Sequence, residues 1–337
     1  MTFINVGLVG TGYAAQKRAE AFTEDERSQI FGIYGNYPER VNSLCQTYGA
    51  QPFTSYEALV TDPAIHLVVI STMNHLHGAI ASAALNAGKH VVVEYPLSLD
   101  VPEATQLIQL AQRNQLLLHV EHIELLSGIH QAVVDTLPSI GRPFYVQSTS
   151  LRSESSVPEK WSYRPELVGF PLVSALSRIQ RLVTVFGEVE TVSCQSRFWT
   201  VEGSMYEHPD VPVPYRSCLC SAQLRFMSGL IADVIYGKGT DIWQTERSLH
   251  VHGSGGMIQL HGSHGQLIQC QATQELTIGS RRGLFARDSR MVLDALVDGT
   301  PLYVSLDQSL YALSVADAAR RAALSQTVIR LEGKNTQ

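Results

Sequence analysis

Six residues near the start of the chain have the types and the spacing of a phosphate-binding loop. The run Gly10-Thr11-Gly12-Tyr13-Ala14-Ala15 separates a short apolar stretch from a helix-like segment. In a G-x-G-x-x-G/A loop the first glycine permits a tight turn, the second lets the backbone approach a pyrophosphate, and a small last residue lets helix and strand pack closely. An ordinary glycine-rich turn is the alternative. The context favours a dinucleotide site, whose predicted contacts are Gly10, Thr11, Gly12, Tyr13 and Ala15.

The segment after the second predicted strand indicates which dinucleotide binds. A site selective for NAD usually has Asp or Glu there, which accepts hydrogen bonds from the adenine ribose hydroxyls. This chain has Gly35 and Asn36 instead, so a 2′-phosphate would meet no negative charge. Arg40 could pair with that phosphate, helped by Lys17 or Arg18 of the first helix. The sequence therefore predicts NADPH as the cofactor, with Asn36 and Arg40 as contacts, although the arginines could equally be solvated helix charges.

The elements that position this loop are predicted from alternating patterns. In the first third of the chain, short runs rich in Val, Ile and Leu alternate with helix-like segments, which is typical of a doubly wound parallel sheet covered on both faces. Strands are predicted at 4–10, 30–36, 67–72, 90–95 and 116–122, and helices at 13–22, 38–49, 77–88 and 104–115. We therefore expect a Rossmann NADP-binding domain over residues 1–122.

Beyond residue 123 the predicted strands lengthen, and apolar residues alternate with polar ones. This alternation is typical of an antiparallel sheet. Strands are predicted at 142–151, 189–200, 216–227, 230–239 and 247–256, and helices at 171–187 and 308–326. We expect a substrate-binding α+β domain over residues 123–337, built on a large, mainly antiparallel sheet with a C-terminal helix. The predicted fold class is thus α/β followed by α+β.

Composition excludes several classes of protein. The chain has 337 residues, of which 45% are hydrophobic, and a net charge of -6; these values indicate two folded domains and argue against a nucleic-acid binder. Its five cysteines form no CxxC pair, which favours a reducing, cytoplasmic location, with Cys218 and Cys220 in the core. No apolar stretch approaches the ~20 residues of a membrane span. We expect a small-molecule partner, a monomer or homodimer, and no metal site.

Residues 71–96 contain two further motifs. The run 72–77 matches T-x-N-x-x-H before a helix, and the run 88–96 matches G-K-H-V-x-x-E-K-P except at one position. Together with the glycine-rich loop, this stretch resembles the glucose–fructose oxidoreductase and inositol dehydrogenase family of Rossmann-type oxidoreductases. The resemblance implies that further cofactor contacts are Ser71, Thr72, Asn74, His77 and Glu94. For His75 and His77, helix-start histidines with locally satisfied hydrogen bonds are the alternative.

The chain departs from this family where a proton would be moved. Family members that oxidise sugars or polyols use the lysine of E-K-P together with an Asp and a His from a later segment. Here Tyr95 replaces the lysine, and segment 168–179 has Ala175 and Ile179 where the Asp and His would stand. Tyrosine, with a reference pKa of about 10, is a poor base at neutral pH. An alcohol–carbonyl interconversion has therefore lost its general base.

One branch of the family has these replacements. Segments 93–99, 118–126 and 169–189 together resemble the biliverdin reductases, especially the cyanobacterial type. The resemblance implies hydride transfer from NADPH to the central methine carbon of biliverdin, a linear tetrapyrrole, which gives bilirubin, with a proton added to a pyrrolic nitrogen. No alcohol is deprotonated in this reaction, so the lysine is dispensable.

The resemblance also suggests which residues act on the substrate. Arg178 lies one position before the missing histidine and is the principal candidate. It could stabilise charge that develops on the tetrapyrrole, orient a proton-donating water or bind a propionate; a structural ion pair is the alternative. Tyr95 is expected beside the nicotinamide. The predicted catalytic residues are Arg178 and Tyr95, and the predicted substrate contacts are Arg178, Glu121, His122 and Arg281.

A flat, conjugated substrate also calls for an apolar and aromatic surface. Its candidates, each of which could equally be ordinary packing, are Tyr145, Phe198, Trp199, Phe226, Tyr236 and Trp243. Two other functions stay open at this point: another NADP-dependent reductase of the same fold, and a non-enzymatic nucleotide-binding regulator. Consumption of NADPH on addition of a bilin would distinguish them from the leading prediction.

Overall fold

The computed structural model describes residues 3–157 and 159–331, which form two compact units. Unit 1 contains the chain up to Ile123 and the segment Arg282–Leu310, and unit 2 contains Glu124–Arg281 and the chain from Tyr311 onward. The predicted division between residues 122 and 123 stays a prediction. Residues 1–2, 158 and 332–337, which the two predicted domains include, lie outside the described residues.

Unit 1 is a parallel sheet with helices between its strands. The six strands have the order β3-β2-β1-β4-β5-β6, and each pair is parallel. Runs such as Leu67–Ile70 are buried along their whole length, as expected for strands covered on both faces. The predicted Rossmann fold is confirmed. Its elements are β1 Ile4–Val9, α1 Tyr13–Glu24, β2 Ser28–Tyr34, α2 Pro38–Tyr48, β3 Gln51–Pro52, α3 Tyr56–Thr61, β4 Leu67–Ile70, α4 Asn74–Asn86, β5 His90–Val93, α5 Val101–Arg113 and β6 Leu118–Val120.

Unit 2 is built on a ten-stranded sheet with the order β15-β14-β13-β12-β7-β11-β10-β8-β16, and β9 pairs with β8. All its strand pairs are antiparallel except β7 with β11. Its elements are α6 Gly128–Thr136, β7 Pro143–Ser153, α7 Pro165–Val168, α8 Pro171–Ser174, α9 Leu176–Phe186, β8 Val189–Thr200, β9 Met205–Tyr206, β10 Tyr215–Phe226, β11 Ile231–Gly239, β12 Glu246–Gly253, β13 Gly256–His261, β14 His264–Gln269, β15 Ala272–Leu276 and β16 Ile329–Arg330. The predicted large, mainly antiparallel sheet is confirmed. The helix predicted over 171–187 is two helices, because Ala175 leaves the helical conformation with φ −105° and ψ 26°.

Burial alternates along the unit 2 strands. In β10 the side chains of Cys218, Cys220, Ala222 and Leu224 are buried, whereas Gln223 between the last two is exposed. One face of the sheet therefore packs into a core while the other faces outward. The prediction that Cys218 and Cys220 are core residues is confirmed.

The segment Arg282–Leu310 belongs to unit 1, whereas the predicted domains placed every residue after 122 in the second domain. A helix attaches this segment to unit 1. Helix α10, Leu284–Asp298, packs against α1. Its Val292 and Leu293 are fully buried in the same core as Ala15 and Ala19, and each such aliphatic side chain contributes about 1.5–3 kcal/mol through burial. The last long helix, α11, covers Leu306–Ser325. None of the helices in the described ranges is both long enough and apolar enough to cross a membrane.

Candidate active site

The glycine-rich loop connects β1 to α1 in the geometry that its sequence predicts. Gly10 has φ +128°, and a Cβ at this position would lie 2.1 Å from the carbonyl oxygen of Ser71, so only glycine fits. Gly12 precedes the first residue of α1, and a Cβ there would meet nothing within 4 Å. Ala15 is fully buried. The backbone at Gly12 is thus open to a phosphate at the helix N-terminus.

The end of β2 carries no carboxylate. The strand stops at Tyr34 and is followed by Gly35 and the exposed Asn36. The guanidinium carbon of Arg40 lies 4.8 Å from the ring centroid of Tyr37, and both residues are exposed. Neither Gly35 nor Asn36 brings a negative charge to the end of β2, so the predicted preference for NADPH keeps its physical basis.

The suggestion that Arg18 could pair with the 2′-phosphate is wrong, because its side chain is fully buried. Its Nε donates to Glu94 at 3.0 Å, and its Nη1 donates to Asp288 of α10 and to Ser289. Burial opposes the charge of Arg18, but the carboxylates of Asp288 and Glu94 raise its pKa above the usual range. The other candidate from α1, Lys17, donates to Glu20 at 2.5 Å.

Asp288 is the centre of a buried polar network that sequence reasoning missed. It accepts hydrogen bonds from His119 Nε2 at 2.8 Å and from the Tyr303 hydroxyl at 2.6 Å, besides that from Arg18. Burial alone would raise the pKa of Asp288, but the charge of Arg18 and the hydrogen bond from His119 hold it well below its usual range. Because Tyr303 also accepts from the backbone N–H of His122 at 3.0 Å, the network fixes the chain that follows β6.

His77 joins the two loops that follow β4 and β5. Its Nδ1 lies 2.8 Å from the carbonyl oxygen of Pro96, and its Nε2 lies 3.2 Å from the carbonyl oxygen of Thr72. Burial lowers the pKa of His77, and a neutral ring donates to only one of these two carbonyl oxygens. Ser71 and Asn74 of the same motif are also buried at the start of α4. His77 therefore holds together the two loops that carry predicted cofactor contacts.

The residues after β5 and β6 form a second cluster. The rings of Tyr95 and His122 are stacked, with centroids 5.7 Å apart and planes within 2°. Burial and the negative charge of Glu94 raise the pKa of Glu121 well above its usual range. Glu121 accepts from the backbone N–H of Ile123 at 2.6 Å, and His122 Nε2 lies 2.9 Å from the Ser309 hydroxyl. The side chains of Glu121 and His122 are both buried. That they contact the substrate stays a prediction.

Unit 2 contains a cavity of about 350 Å³ in which arginines predominate among the charged residues. Arg178 and Arg181 lie three residues apart on α9 and therefore share a helix face. Arg247 comes from β12 and Arg281 from the loop that precedes α10. Glu124 is the acidic residue among the side chains that line this cavity. The charged lining therefore has three more positive groups than negative ones.

Two of these arginines hold Glu124, and two face the cavity without such a partner. Glu124 accepts from Arg181 at 3.0 Å and from Arg281. Within residues 3–157 and 159–331, Arg178 and Arg247 have no carboxylate within 4.0 Å. Burial alone would raise the pKa of Glu124, but Arg178, Arg181 and Arg281 keep it below its usual value.

The pKa of Arg247 is lowered by desolvation and by the positive charges of Arg178 and Arg281. An anion placed between these guanidinium groups would relieve that repulsion, and the planar fork of arginine suits carboxylates. The cavity therefore has the charge that an anion-binding site needs, and Arg178 is one of the residues that line it.

The predicted aromatic surface is not part of this cavity, since none of the described residues that line it is aromatic. Phe198 and Phe226 are fully buried in the core, as the packing alternative predicted, and Trp243 is 92% exposed.

Comparison with known proteins decides the family. The model of an oxidoreductase family with an NAD-binding Rossmann fold matches residues 4–122, and the model of that family's C-terminal alpha/beta domain matches residues 138–331. The chain belongs to this oxidoreductase family. The resemblance seen in the sequence is thereby confirmed. Ile179 is fully buried and Ala175 is nearly so, so both residues, which the sequence resemblance set against a family His and Asp, are packed in apolar surroundings.

A solved relative is very similar over its full length. The crystal structure of biliverdin reductase from Synechocystis sp. PCC 6803, in complex with biliverdin and NADP+, is 49% identical, with a TM-score of 0.90 over 95% of this chain and 98% of that one. Biliverdin reductase A of Homo sapiens is 30% identical over 56% of this chain and 60% of its own length. UDP-N-acetylglucosamine 3-dehydrogenase of Acidithiobacillus ferrooxidans is 29% identical over 45% of this chain and 46% of its own. The matches to these two curated relatives thus span less than two thirds of their lengths.

Proposed function

We propose that this family member reduces biliverdin to bilirubin with NADPH. The observation that carries the proposal is the charge of the unit 2 cavity, whose four arginines outnumber its single carboxylate. Biliverdin has two propionates, so an excess of guanidinium groups is the complement that it needs. The 49% identity to a biliverdin reductase crystallised with biliverdin and NADP+ supports the same substrate and cofactor.

NADPH, when bound, supplies the hydride, which adds to the central methine carbon while a proton adds to a pyrrolic nitrogen. The loop from Gly10 to Ala15 is proposed to hold the pyrophosphate at the N-terminus of α1, and Asn36 and Arg40 to receive the 2′-phosphate. Contacts from the loops after β4 and β5 are assigned to Ser71, Thr72, Asn74, His77 and Glu94. Arg40→Ala should raise the KM for NADPH and leave that for NADH unchanged; equal effects on both would refute the 2′-phosphate contact.

Arg178 is proposed to stabilise negative charge that develops on the tetrapyrrole as the hydride arrives. Guanidinium groups in general are poor proton donors, so we assign proton delivery to a water that Arg178 orients. The side chain is suited to this role because it is only partly buried, lines the cavity and lacks a carboxylate within 4.0 Å in the described chain. Fixed positive charge aimed at developing negative charge is an effective form of catalysis.

Tyr95 is proposed to shape the hydride path. Its ring is held against His122, and nothing in the reaction requires it to act as a base, so Tyr95→Phe should lose little activity. Arg281 is proposed as a propionate contact, exchanging Glu124 for the substrate carboxylate, and Glu121 and His122 as further contacts. A cytoplasmic location and a monomeric or homodimeric state stay predictions.

The deciding experiment is an anaerobic mixture of the purified chain, NADPH and biliverdin, followed across the visible spectrum. We expect the long-wavelength biliverdin band to fall as a bilirubin band grows. Tight NADPH binding without any spectral change would refute the proposal and favour a nucleotide-binding regulator. Turnover of diketones, dihydrodiols or imines with none of biliverdin would instead indicate another reductase of the same fold.

A further inference from the structure

Four of the twelve histidines in the chain lie in the fifteen-residue segment 250–264. They are His250 and His252 on β12, His261 at the end of β13 and His264 at the start of β14; we call them the histidine patch. Residues two apart on a strand share a face, and so do directly opposed residues on paired strands. The H-x-H spacing and the opposition of His261 to His264 therefore bring all four to one face of the unit 2 sheet.

Two members of the histidine patch are in contact. His250 Nε2 lies 3.0 Å from His261 Nε2, and the ring centroids are 4.8 Å apart. The side-chain amide nitrogen of Gln259, directly opposite His250 on β13, lies 3.1 Å from the same His261 nitrogen. The two imidazoles therefore point their Nε2 atoms at one small volume on the surface of the sheet.

We propose that His250 and His261 form a binding site for a divalent late transition-metal ion, Ni²⁺ or Cu²⁺, on this face of the unit 2 sheet. Imidazole nitrogens bind such metals at about 2.0–2.1 Å, and two nitrogens 3.0 Å apart then subtend an angle of about 90° at the metal. That angle suits square-planar or octahedral coordination, which Cu²⁺ and Ni²⁺ adopt, better than the tetrahedral sites of structural Zn²⁺.

The surroundings of the pair favour a cation. On β7 and β12–β14, the residues that share this face include no lysine and no arginine. A neutral imidazole offers one nitrogen lone pair to a metal. Metal binding requires that both rings carry their proton on Nδ1 and that the Gln259 amide nitrogen turn away from His261 Nε2.

The rest of the coordination sphere comes from solvent and a neighbouring amide. Among the residues that the structure describes, no group of three or more His, Cys, Asp or Glu side chains is placed to hold a metal. The oxygen of Gln259, brought forward by rotation of its amide, is the available third protein ligand, and water completes the sphere. The sequence analysis expected no metal site, and this proposal departs from that expectation.

The test is calorimetric titration of Ni²⁺ into the untagged full-length chain at pH 7.5, in a Cys270→Ser background because the Cys270 thiol is exposed. We expect one site per chain, and His250→Gln or His261→Gln should each weaken it by at least about tenfold. His208→Gln is the matched control, since His208 is an exposed histidine of unit 2 outside the histidine patch. An unchanged isotherm in both patch variants, or no binding by the parent chain, would overturn the proposal.

A second measurement identifies the ligands directly. Electron paramagnetic resonance of the chain with one equivalent of Cu²⁺ should show coupling to two equatorial nitrogens in the parent and to one in either patch variant. A spectrum identical in the parent and His261→Gln would contradict the assignment even if Ni²⁺ binds. Circular dichroism of each variant verifies that the sheet is intact, so a loss of metal cannot be mistaken for a loss of fold.

Discussion

Two arginines one helical turn apart on α9 should respond to the same substitution in opposite ways. Arg181 is buried and donates to the buried carboxylate of Glu124 at 3.0 Å. Removing one partner of a buried ion pair costs about 3–5 kcal/mol, and we expect about 3 kcal/mol for Arg181→Gln, because Arg281 still contacts Glu124. Arg178 is only partly buried and has no carboxylate within 4.0 Å in the described chain, so Arg178→Gln should change stability by no more than about 0.5 kcal/mol.

The two substitutions should affect turnover in the opposite order, with a larger loss for Arg178→Gln than for Arg181→Gln. If Arg178 stabilises the charge that develops on the tetrapyrrole, its loss should lower kcat by about 100-fold or more, the range seen when one preorganised donor is removed from an active site. NADPH affinity should be unaffected, because the proposed cofactor contacts all belong to unit 1. Arg181→Gln should keep most of its turnover at temperatures where it is folded, because Arg181 is committed to Glu124.

The assays are the visible-band conversion of biliverdin under saturating NADPH and urea unfolding followed by circular dichroism, on both variants and the parent. Turnover of Arg178→Gln within threefold of the parent would remove Arg178 from the mechanism. A parent-like urea midpoint for Arg181→Gln would refute the argument from the buried pair.

Three further predictions concern unit 1. Asp288→Asn should lower the free energy of unfolding by about 3–5 kcal/mol, because it leaves a fully buried guanidinium short of its partner, and urea denaturation measures this. Gly12→Ala should fold normally, because a Cβ there meets nothing within 4 Å, yet weaken NADPH binding by fluorescence titration; Gly10→Ala should instead destabilise the fold, and the reverse pattern would contradict the loop geometry. Burial lowers the pKa of His122 to about 3 in the folded chain, whereas in the unfolded chain the ring takes up its proton near pH 6.5. The stability that the neutral ring permits is therefore fully present above pH 6.5 and is lost as the pH falls. Between pH 7 and pH 5 the parent should lose about 2 kcal/mol more unfolding free energy than a His122→Gln variant, as measured by urea unfolding at the two pH values.

The fold was predictable wherever one pattern determined one element. The strand Val189–Thr200 was predicted at its observed bounds, and buried residues alternate with more exposed ones from Val192 to Phe198. Such alternation specifies both a strand and its orientation. The strands of Gly256–Leu276 were missed, because they are short and rich in Gly, Gln and His, which carry a weak hydrophobic signal. The docking of α10 on unit 1 was also missed, since an amphipathic helix does not reveal which surface covers its apolar face.

The candidate site was also predictable only where local sequence determines the structure. The phosphate loop could be predicted, because its requirements are local: a glycine with positive φ at Gly10 and open space at Gly12. The network around Asp288 could not, because Arg18 and Asp288 are 270 residues apart in the chain. The arginine cavity shows an intermediate case. Arg178 and Arg281 were proposed as substrate contacts, and the segment with Glu124 was expected near the site. Arg181 and Arg247, which set the charge balance, are recognised only when β12 and the segment before α10 meet α9.

Arg18 and Arg178 show why residue type alone does not settle a role. Both are helix arginines that the sequence offers to an anionic ligand, one to the 2′-phosphate and the other to the tetrapyrrole. Arg18 meets two carboxylates of its own unit and is sealed from solvent, so its charge is already neutralised and no ligand is needed. Arg178 meets other arginines, and the nearby carboxylate of Glu124 is already held by two of them. A guanidinium whose neighbours are cations gains from binding an anion, which a guanidinium already paired in the core does not. The charges around each arginine, rather than its position on a helix, therefore separate the structural residue from the functional candidate.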